Sequence, residues 1–127
     1  MVLDEFYYTK SHEWVKVEGE KATIGITDFA QSELQDIVYV ELPEMGKVIN
    51  KGDVLCSIDS VKSSAEVYAP VSGEVVEVNE KLSAEPELIN KDPYGEGWIA
   101  VIKISNPDEI SELLSAKEYE EMLEGEK

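Results

Sequence analysis

The stretch CSIDSVKSSAEVYAPVSGEV, residues 56–75, sets a single lysine, Lys62, between two runs that have the composition of short strands. Ser60 precedes this lysine, and Ser63 and Ser64 follow it. Two such runs joined by a few small polar residues are typical of a hairpin. The sequence therefore predicts a β-hairpin whose exposed tip projects Lys62 into water.

The sequence on either side of this lysine repeats weakly. The segments VELPEMGKV, residues 40–48, and VYAPVSGEV, residues 67–75, share the pattern P-x-x-G-x-V at a constant offset of 27 residues. Two similar strand–turn–strand units predict a quasi-two-fold arrangement, in which each half covers the apolar face of the other. The glycines suit turns with positive φ, and the prolines suit strand ends, where no ladder donor is lost.

Short strands separated by Gly, Pro, Asn or Asp are predicted along most of the chain. They lie at residues 7–17, 22–26, 36–43, 54–58, 65–70, 74–78 and 98–104. In the strand at 36–43, we expect Val38, Val40 and Leu42 to share one face. Many short strands at such spacing indicate a sandwich or barrel of small sheets. Residues 80–97, which contain two prolines and two glycines, are predicted to form a loop.

Helices are predicted near the middle and at the end of the chain. Thr27 has the residue type of an N-cap for a short helix at residues 28–34, with Asp28 in its first turn. Ser105 or Asn106 can cap a second helix, which has Pro107 near its start.

The last predicted helix begins with a capping box formed by Ser115 and Glu118. Tyr119, Met122 and Leu123 are expected to face inward, and Gly125 is expected to close the helix. We expect one domain over residues 1–127, with a β core at about 22–104 and a helical appendage at about 107–124.

The chain is strongly acidic, with 28 acidic and 11 basic residues among 127 and a net charge of −17. This charge argues against binding to nucleic acid or to an anionic membrane, because both need clustered Lys and Arg. It favours partners with basic docking patches, although acidic residues that serve only solubility would give the same composition.

Cys56 and His12 are the only residues of their types. A single cysteine cannot form an internal disulfide. Cys56 alternates with Val54 and Ile58, which predicts a small core residue. His12 has no companion ligand for a metal site and is expected to fix the start of a strand. No apolar run reaches membrane-spanning length and no secretory signal is recognisable, so we expect a cytoplasmic protein or a chain whose targeting segment is absent.

A lysine at the turn between two such halves is the plan of lipoyl and biotinyl carrier domains, and the details resemble the family of glycine cleavage system H proteins. The resemblance covers nearly the whole chain in order, in SHEWV (11–15), IGITDFAQSEL (24–34), DIVYVELPEMG (36–46), SVKSSAEVYAPVSGEVVEVN (60–79), PELINKDPYGEGWIAVIKI (86–104) and LSAKEYEEML (114–123). The lysine stands in S-V-K-S, not in the D-K-A of ordinary lipoyl domains or the M-K-M of biotinyl domains. The resemblance implies a mainly β barrel-sandwich hybrid of short antiparallel strands with a quasi-two-fold lipoyl-type core, a short helix near 28–34 and C-terminal helices.

The function that the resemblance implies is that of a carrier and not of a catalyst. Lys62 would bear lipoate in amide linkage on its Nζ atom. The arm would take an aminomethyl group from a pyridoxal-phosphate glycine decarboxylase to a tetrahydrofolate-dependent aminomethyltransferase. It would then present its dithiol to dihydrolipoyl dehydrogenase. A lipoate-attaching enzyme is a further implied partner, and a monomer is expected.

The resemblance also implies a surface cleft that receives the loaded arm and shields it from water. Four residues are assigned to this cleft, Ser11, Glu13, Glu66 and Leu34. Glu13 would pair with the protonated amine of the loaded arm, although an ordinary surface carboxylate is the alternative. Ile89 and the Tyr94 loop are expected to form further apolar walls.

Two residues depart from the family pattern. Gln35 stands where Gly is usual, just after the short helix, so it either adopts a strained conformation or ends the helix differently. Asp59 stands where Glu is usual, near the lysine, and is expected to alter recognition by the attaching enzyme slightly.

Other functions stay open from the sequence. Lys62 as a Schiff-base nucleophile would need a desolvated pocket or a neighbouring cation. A carrier for another lipoyl or biotinyl system, or an H-like relative that serves lipoate relay, would keep the modified lysine. A scaffold in which Lys62 is never modified would not.

Overall fold

The computed structural model describes residues 6–125 and shows a mainly β protein with two antiparallel sheets. The strands are β1 (Tyr7–Tyr8), β2 (Glu13–Glu18), β3 (Lys21–Ile26), β4 (Ile37–Glu41), β5 (Val48–Ile49), β6 (Val54–Ser60), β7 (Ser64–Tyr68), β8 (Gly73–Val78) and β9 (Ala100–Ile104). One sheet has the order β1-β2-β3-β9-β8-β5 and the other has the order β4-β6-β7. Apolar side chains of both sheets form one buried cluster, and the expected mainly β class is confirmed.

Four α-helices and one 3₁₀ helix complete the described chain. They are α1 (Asp28–Leu34), α2 (Lys81–Ala84), α3 (Leu88–Lys91), the 3₁₀ helix Pro107–Glu112 and α4 (Ala116–Gly125). No helix within residues 6–125 has the length and apolar character that crossing a membrane requires.

The internal repeat appears in the pairing of the strands. An offset of 27 residues carries β4 onto β7, and these two strands pair with opposite edges of β6. The two turn segments pair with each other, because the Gly46 N–H donates to the Val75 carbonyl and the Val75 N–H donates to the Lys47 carbonyl. A Cβ at Gly73 would collide with the backbone carbonyl of Lys103, so this repeat glycine is required by close approach.

The strand predicted at 7–17 is wrong in one respect, because the chain reverses within it. β1 and β2 form an antiparallel hairpin in which Tyr8 lies opposite Trp14. The turn between them is closed by the His12 N–H, which donates to the Thr9 carbonyl. His12 has a φ of 71°, so the turn depends on a backbone conformation that alternation along a strand does not indicate.

Two further element predictions are corrected. The segment 80–97 contains the helical turns α2 and α3, whose Leu82 and Ile89 are fully buried, so apolar side chains order a segment that its Pro and Gly content marked as a loop. Val38 does not share the buried face with Val40 and is 54% exposed. A register irregularity between Ile37 and Tyr39 interrupts the alternation at this point.

Two of the predicted helix caps are confirmed, and the cap expected from Ser105 or Asn106 is wrong. The Thr27 hydroxyl accepts a hydrogen bond from the Ala30 N–H and caps α1. Ser115 and Glu118 bond each other's backbone N–H groups at the start of α4. The helix after Asn106 is a 3₁₀ helix without a side-chain cap.

The helix α4 packs on the β1–β2 hairpin. Its Ala116 and Tyr119 form a second buried cluster with Phe6, Tyr8 and Trp14, separate from the main one. Met122 and Leu123 pack against this cluster as partly buried residues, as expected. The C-terminal helix is thus anchored by aromatic stacking and not by the main core.

Candidate functional site

Lys62 lies at the tip of the β6–β7 hairpin, where a closed network of hydrogen bonds holds the turn. The Ser60 N–H donates to the Ser63 carbonyl at 2.8 Å. The Ser60 hydroxyl accepts from the backbone N–H groups of Lys62 (3.2 Å) and Ser63 (3.0 Å), and also donates to the Ser63 carbonyl. The Val61 N–H donates to the Asp36 carbonyl and attaches the tip to the chain that precedes β4. The turn is therefore fixed although its side chains are exposed.

The side chain of Lys62 is exposed, and none of the ion pairs between residues of 6–125 includes it. Its Nζ atom lies 3.3 Å from the Glu33 carbonyl oxygen, in the last turn of α1. A cation at the carboxyl end of a helix is weakly stabilised by the unpaired carbonyls there. Such a bond is long and solvated, so the amine stays available to an enzyme. A Schiff-base nucleophile, in contrast, needs a desolvated amine or a neighbouring cation.

A cleft of about 580 Å³ lies beside this amine. Its lining residues come from the turn before β2, the first residue of β2, the last residue of β3, α1, β6 and the edge strand β7. They are Ser11, His12, Glu13, Ile26, Phe29, Ala30, Glu33, Leu34, Ile58, Ala65, Glu66 and Val67. All four residues assigned to the cleft by the sequence, Ser11, Glu13, Leu34 and Glu66, line it. Glu33 connects the lysine to the cleft, because its backbone carbonyl accepts a hydrogen bond from Lys62 and Glu33 itself lines the cleft.

Glu13 is a buried carboxylate and not a surface one, with only 1% of its surface exposed. Its Oε1 atom accepts hydrogen bonds from the hydroxyls of Thr9 (2.5 Å) and Ser11 (2.6 Å). Its Oε2 atom accepts a longer bond of 3.3 Å from the Tyr68 N–H. None of the ion pairs in the described part of the chain gives it a cationic partner. A buried carboxylate in a mostly apolar cleft attracts a cationic ligand group.

The expected walls at Ile89 and Tyr94 are wrong. Ile89 is fully buried in the main core. Tyr94 packs beside Phe6 and Trp14, and its hydroxyl accepts from the Asp28 N–H at the start of α1. Both residues support the elements around the cleft from behind, because the segment 80–97 folds into helical turns instead of lying open.

The sequence reasoning missed eight of the twelve lining residues, among them His12, Phe29 and Glu33. Phe29 and Glu33 are one helical turn apart and lie beside Ala30 and Leu34, so the 3.6-residue period of α1 was the signal that could have found them. His12 had no such signal. Its ring packs on Phe29 with a centroid distance of 4.6 Å, which only the tertiary structure determines.

The two departures from the family pattern have local explanations. Gln35 adopts a φ of 66° and its N–H donates to the Gln31 carbonyl, so this residue ends α1 in a strained conformation. Asp59 lies opposite Ser64 and accepts a hydrogen bond of 2.7 Å from its hydroxyl, which stabilises the hairpin next to Lys62.

Cys56 is buried on β6, as expected for a core residue. Burial raises the pKa of its thiol from 9.0 to about 12, with further increases from the charges of Glu13 and Glu41. The thiol is therefore neutral at physiological pH and is not a nucleophile of this site.

Comparison with known proteins shows which family this chain is similar to. A model of the family described as "Glycine cleavage H-protein" matches residues 6–126. The glycine cleavage system H protein of Thermotoga maritima is 58% identical over 114 residues, which are 90% of this chain and 92% of that protein. The glycine cleavage system H protein of Coprothermobacter proteolyticus is 58% identical over 123 residues, or 96% and 97% of the two chains.

A solved structure has the same fold. The crystal structure of a glycine cleavage system H protein from Mycobacterium marinum has a TM-score of 0.88 and 34% identity. The alignment covers 96% of this chain and 98% of the other. The barrel-sandwich hybrid expected from the sequence is thereby confirmed.

Glycine cleavage H proteins are non-catalytic carriers that bear lipoate on a lysine. They work with glycine decarboxylase, an aminomethyltransferase and dihydrolipoyl dehydrogenase. The family match over the whole described chain, together with relatives of 58% identity, decides the assignment: this chain belongs to the glycine cleavage H-protein family.

Proposed function

We propose that Lys62 is the lysine that carries the lipoyl group and that the neighbouring cleft receives the loaded arm. The observation that carries this proposal is the position of the Lys62 amine, which is exposed, set on a turn closed by hydrogen bonds, and next to the cleft through its contact with Glu33. An attaching enzyme needs both access to the amine and a fixed turn to recognise.

The residues present suit a lipoyl group. A primary amine on an exposed turn can form an amide with the lipoate carboxyl group. The cleft lining is mostly apolar, with Ile26, Phe29, Leu34 and Val67 among its residues, and its volume lies within the ordinary range for small-ligand sites. When bound, the lipoyl group supplies a disulfide that takes up an aminomethyl group and two electrons.

The chain's own residues then orient the arm and exclude water. The Glu13 carboxylate faces the cleft, and the hydroxyls of Thr9 and Ser11 hold one of its oxygens in place. A cationic amine that enters the cleft can pair with this carboxylate, and the pairing is stronger where water is largely excluded. Apolar residues of α1 and β7 cover the rest of the arm. A tether at Lys62 keeps the arm at high effective concentration for each docked partner.

The first experiment tests the attachment. The wild type and Lys62→Arg are incubated with a lipoate ligase, lipoate and ATP, and the intact mass is measured. The wild type should gain one lipoyl increment that maps to Lys62, and Lys62→Arg should gain none while its circular dichroism spectrum stays native. Lys51→Arg, a matched change at another exposed lysine, should be modified like the wild type. Modification of another lysine in Lys62→Arg would contradict the proposal.

The second experiment tests the cleft. We compare loss of ammonia from loaded wild-type protein with that from Glu13→Gln and from Glu18→Gln, a control on the same strand and outside the cleft. Glu13→Gln should release ammonia faster, because the amine loses its charged partner. Equal rates in all three proteins would exclude a protective role for Glu13.

We also propose that the described chain acts as a single domain in the cytoplasm. The single-domain assignment is supported by the packing of α4 on the β1–β2 hairpin. A dithiol that is reoxidised with NAD must share a compartment with that nucleotide, and the cytoplasm is one compartment that meets this requirement. Limited proteolysis tests the first point, and fractionation of the native host tests the second.

A further inference from the structure

Tyr119 of α4 is fully buried, and its hydroxyl reaches beyond the aromatic cluster that holds its ring. The ring stacks on Tyr8 with a centroid distance of 4.6 Å and an interplanar angle of 6°. The hydroxyl lies 2.8 Å from His12 Nδ1 and 2.7 Å from Thr27 Oγ1. A single atom of the C-terminal helix therefore contacts two separate segments of the protein.

These two segments form neighbouring walls of the cleft. His12 lines the cleft from the turn that precedes β2. Thr27 is the N-cap of α1, and α1 supplies Phe29, Ala30, Glu33 and Leu34 to the lining. The two walls also meet directly, because the Thr27 N–H donates to the His12 carbonyl at 3.0 Å. The Tyr119 hydroxyl adds a side-chain connection across the same junction.

The hydroxyl can satisfy both contacts at once. The Thr27 hydroxyl oxygen accepts from the Ala30 N–H, so its own proton is available for the Tyr119 oxygen. Tyr119 can then donate to His12 Nδ1. The opposite direction, from His12 through Tyr119 to Thr27, satisfies the same contacts. In both directions Tyr119 is the middle member, and phenylalanine could not replace it.

Backbone strain marks the same junction. His12 has a φ of 71°, a conformation that a non-glycine residue keeps only where its surroundings impose it. Its N–H donates to the Thr9 carbonyl, and its carbonyl accepts from Thr27. The Tyr119 hydroxyl holds the side chain of the same residue. Removing this hydroxyl leaves the strained turn with less to hold it against α1.

We propose that Tyr119 is a positioning residue for the cleft, whose hydroxyl holds α1 and the His12 turn at the separation needed to enclose the lipoyl arm. This inference rests on the proposed function of the cleft. It makes α4, which the sequence suggested to be an appendage, part of the site that shelters the arm.

The first test uses the unmodified full-length protein and does not depend on the arm. Hydrogen exchange of the Ala30 amide, which bonds the Thr27 hydroxyl, is measured by NMR in the wild type, Tyr119→Phe and Met122→Leu. The Ala30 amide should exchange about fivefold faster in Tyr119→Phe than in the wild type, which is the change expected from the loss of one net hydrogen bond. Met122→Leu, a volume-conserving change on the same helix, should match the wild type. Unchanged exchange in Tyr119→Phe, or an equal increase in Met122→Leu, would overturn the proposal.

The second test uses lipoylated protein loaded with the aminomethyl group. Loss of ammonia should be severalfold faster from Tyr119→Phe than from the wild type at equal modification of Lys62. If the wild type shelters its arm and Tyr119→Phe shelters it equally well, the positioning role is wrong. If the wild type loses ammonia as fast as free loaded dihydrolipoamide, the proposed function of the cleft is wrong. Tyr119 then has no role toward the arm, although the hydrogen-exchange result is unaffected.

Discussion

Gln35 ends α1 with a φ of 66° and a ψ of −142°, a backbone conformation that favours glycine. The conformation is imposed by its neighbours, because the Gln35 N–H donates to the Gln31 carbonyl and the Gln35 carbonyl accepts from the Asn90 side chain. Gln35 is exposed, so its side chain contributes little packing to offset the strain.

We predict that Gln35→Gly stabilises the protein by about 1 kcal/mol, the usual cost of a left-handed conformation for a residue with a Cβ atom. The greater freedom of glycine in the unfolded chain reduces this gain. Urea unfolding of Gln35→Gly and Gln35→Ala measures it, and only the glycine variant should gain. A glycine variant no more stable than the alanine variant would contradict the strain argument.

Cys56 gives a prediction for alkaline pH. Both folded and unfolded chains keep the thiol proton below pH 9.0, whereas between pH 9.0 and about 12 only the folded chain keeps it. The stability that Cys56 contributes is therefore lost as pH rises through this window, by at most about 1.4 kcal/mol per pH unit. Urea unfolding near pH 8 and near pH 10.5 should show a steeper loss in the wild type than in Cys56→Ala. Tyr94, whose pKa burial also raises, is present in both proteins. Equal losses would exclude this role for the thiol.

At the scale of elements, the β6–β7 hairpin joins a rigid turn to an exposed lysine. The strand pairing ends at Asp59 and Ser64. Beyond this pair, the Ser60 hydroxyl accepts hydrogen bonds from the backbone N–H groups of Lys62 and Ser63. These hydrogen bonds keep the backbone ordered up to Lys62, the residue that an attaching enzyme must recognise.

We predict that Ser60→Ala lowers the stability by about 1 kcal/mol, because two turn N–H groups lose their acceptor. It should also raise the KM of a lipoate ligase for the protein more than it lowers kcat, since the amine itself is unchanged. Ser63→Ala is the matched control, because the Ser63 hydroxyl bonds no residue within 6–125. If both variants are lipoylated like the wild type, the Ser60 network is not what the ligase recognises.

At the scale of the whole molecule, the net charge of −17 is spread over a chain of 127 residues. Lys51 and Lys81 are engaged in ion pairs with Glu112 and Glu96, which leaves a predominantly acidic surface. Such a surface accelerates encounters with partners that have basic patches, and salt screens the attraction.

We predict that the KM of each partner enzyme for the lipoylated protein rises severalfold between about 0.05 and 0.3 M salt, where the screening length falls well below the size of the protein. The same enzymes assayed with free lipoamide in place of the protein are the control, because a small neutral substrate has no docking surface. A KM for the protein that does not change with salt would show that the acidic residues serve solubility alone.

The sequence determined the features that depend on neighbours along the chain. The Thr27 cap, the capping box of Ser115 and Glu118, the β6–β7 hairpin and its exposed lysine are set by side chains within a few residues of the backbone they bond. The alternation of apolar residues likewise identified most strands, because a strand buries every second side chain. It failed where a register irregularity left Val38 exposed and where buried Leu82 and Ile89 ordered the segment 80–97.

The tertiary structure alone decided how the site is assembled. The bond from the Tyr68 N–H to Glu13 joins residues 55 apart, and the contact of Tyr119 with His12 joins residues 107 apart. No local pattern specifies such contacts, because they depend on how the two sheets and α4 pack. Packing also buried Glu13, which sequence alone left equally compatible with the surface, and it moved Ile89 and Tyr94 behind the cleft walls. The lysine could be found in the sequence, but the cleft beside it exists only after the chain has folded.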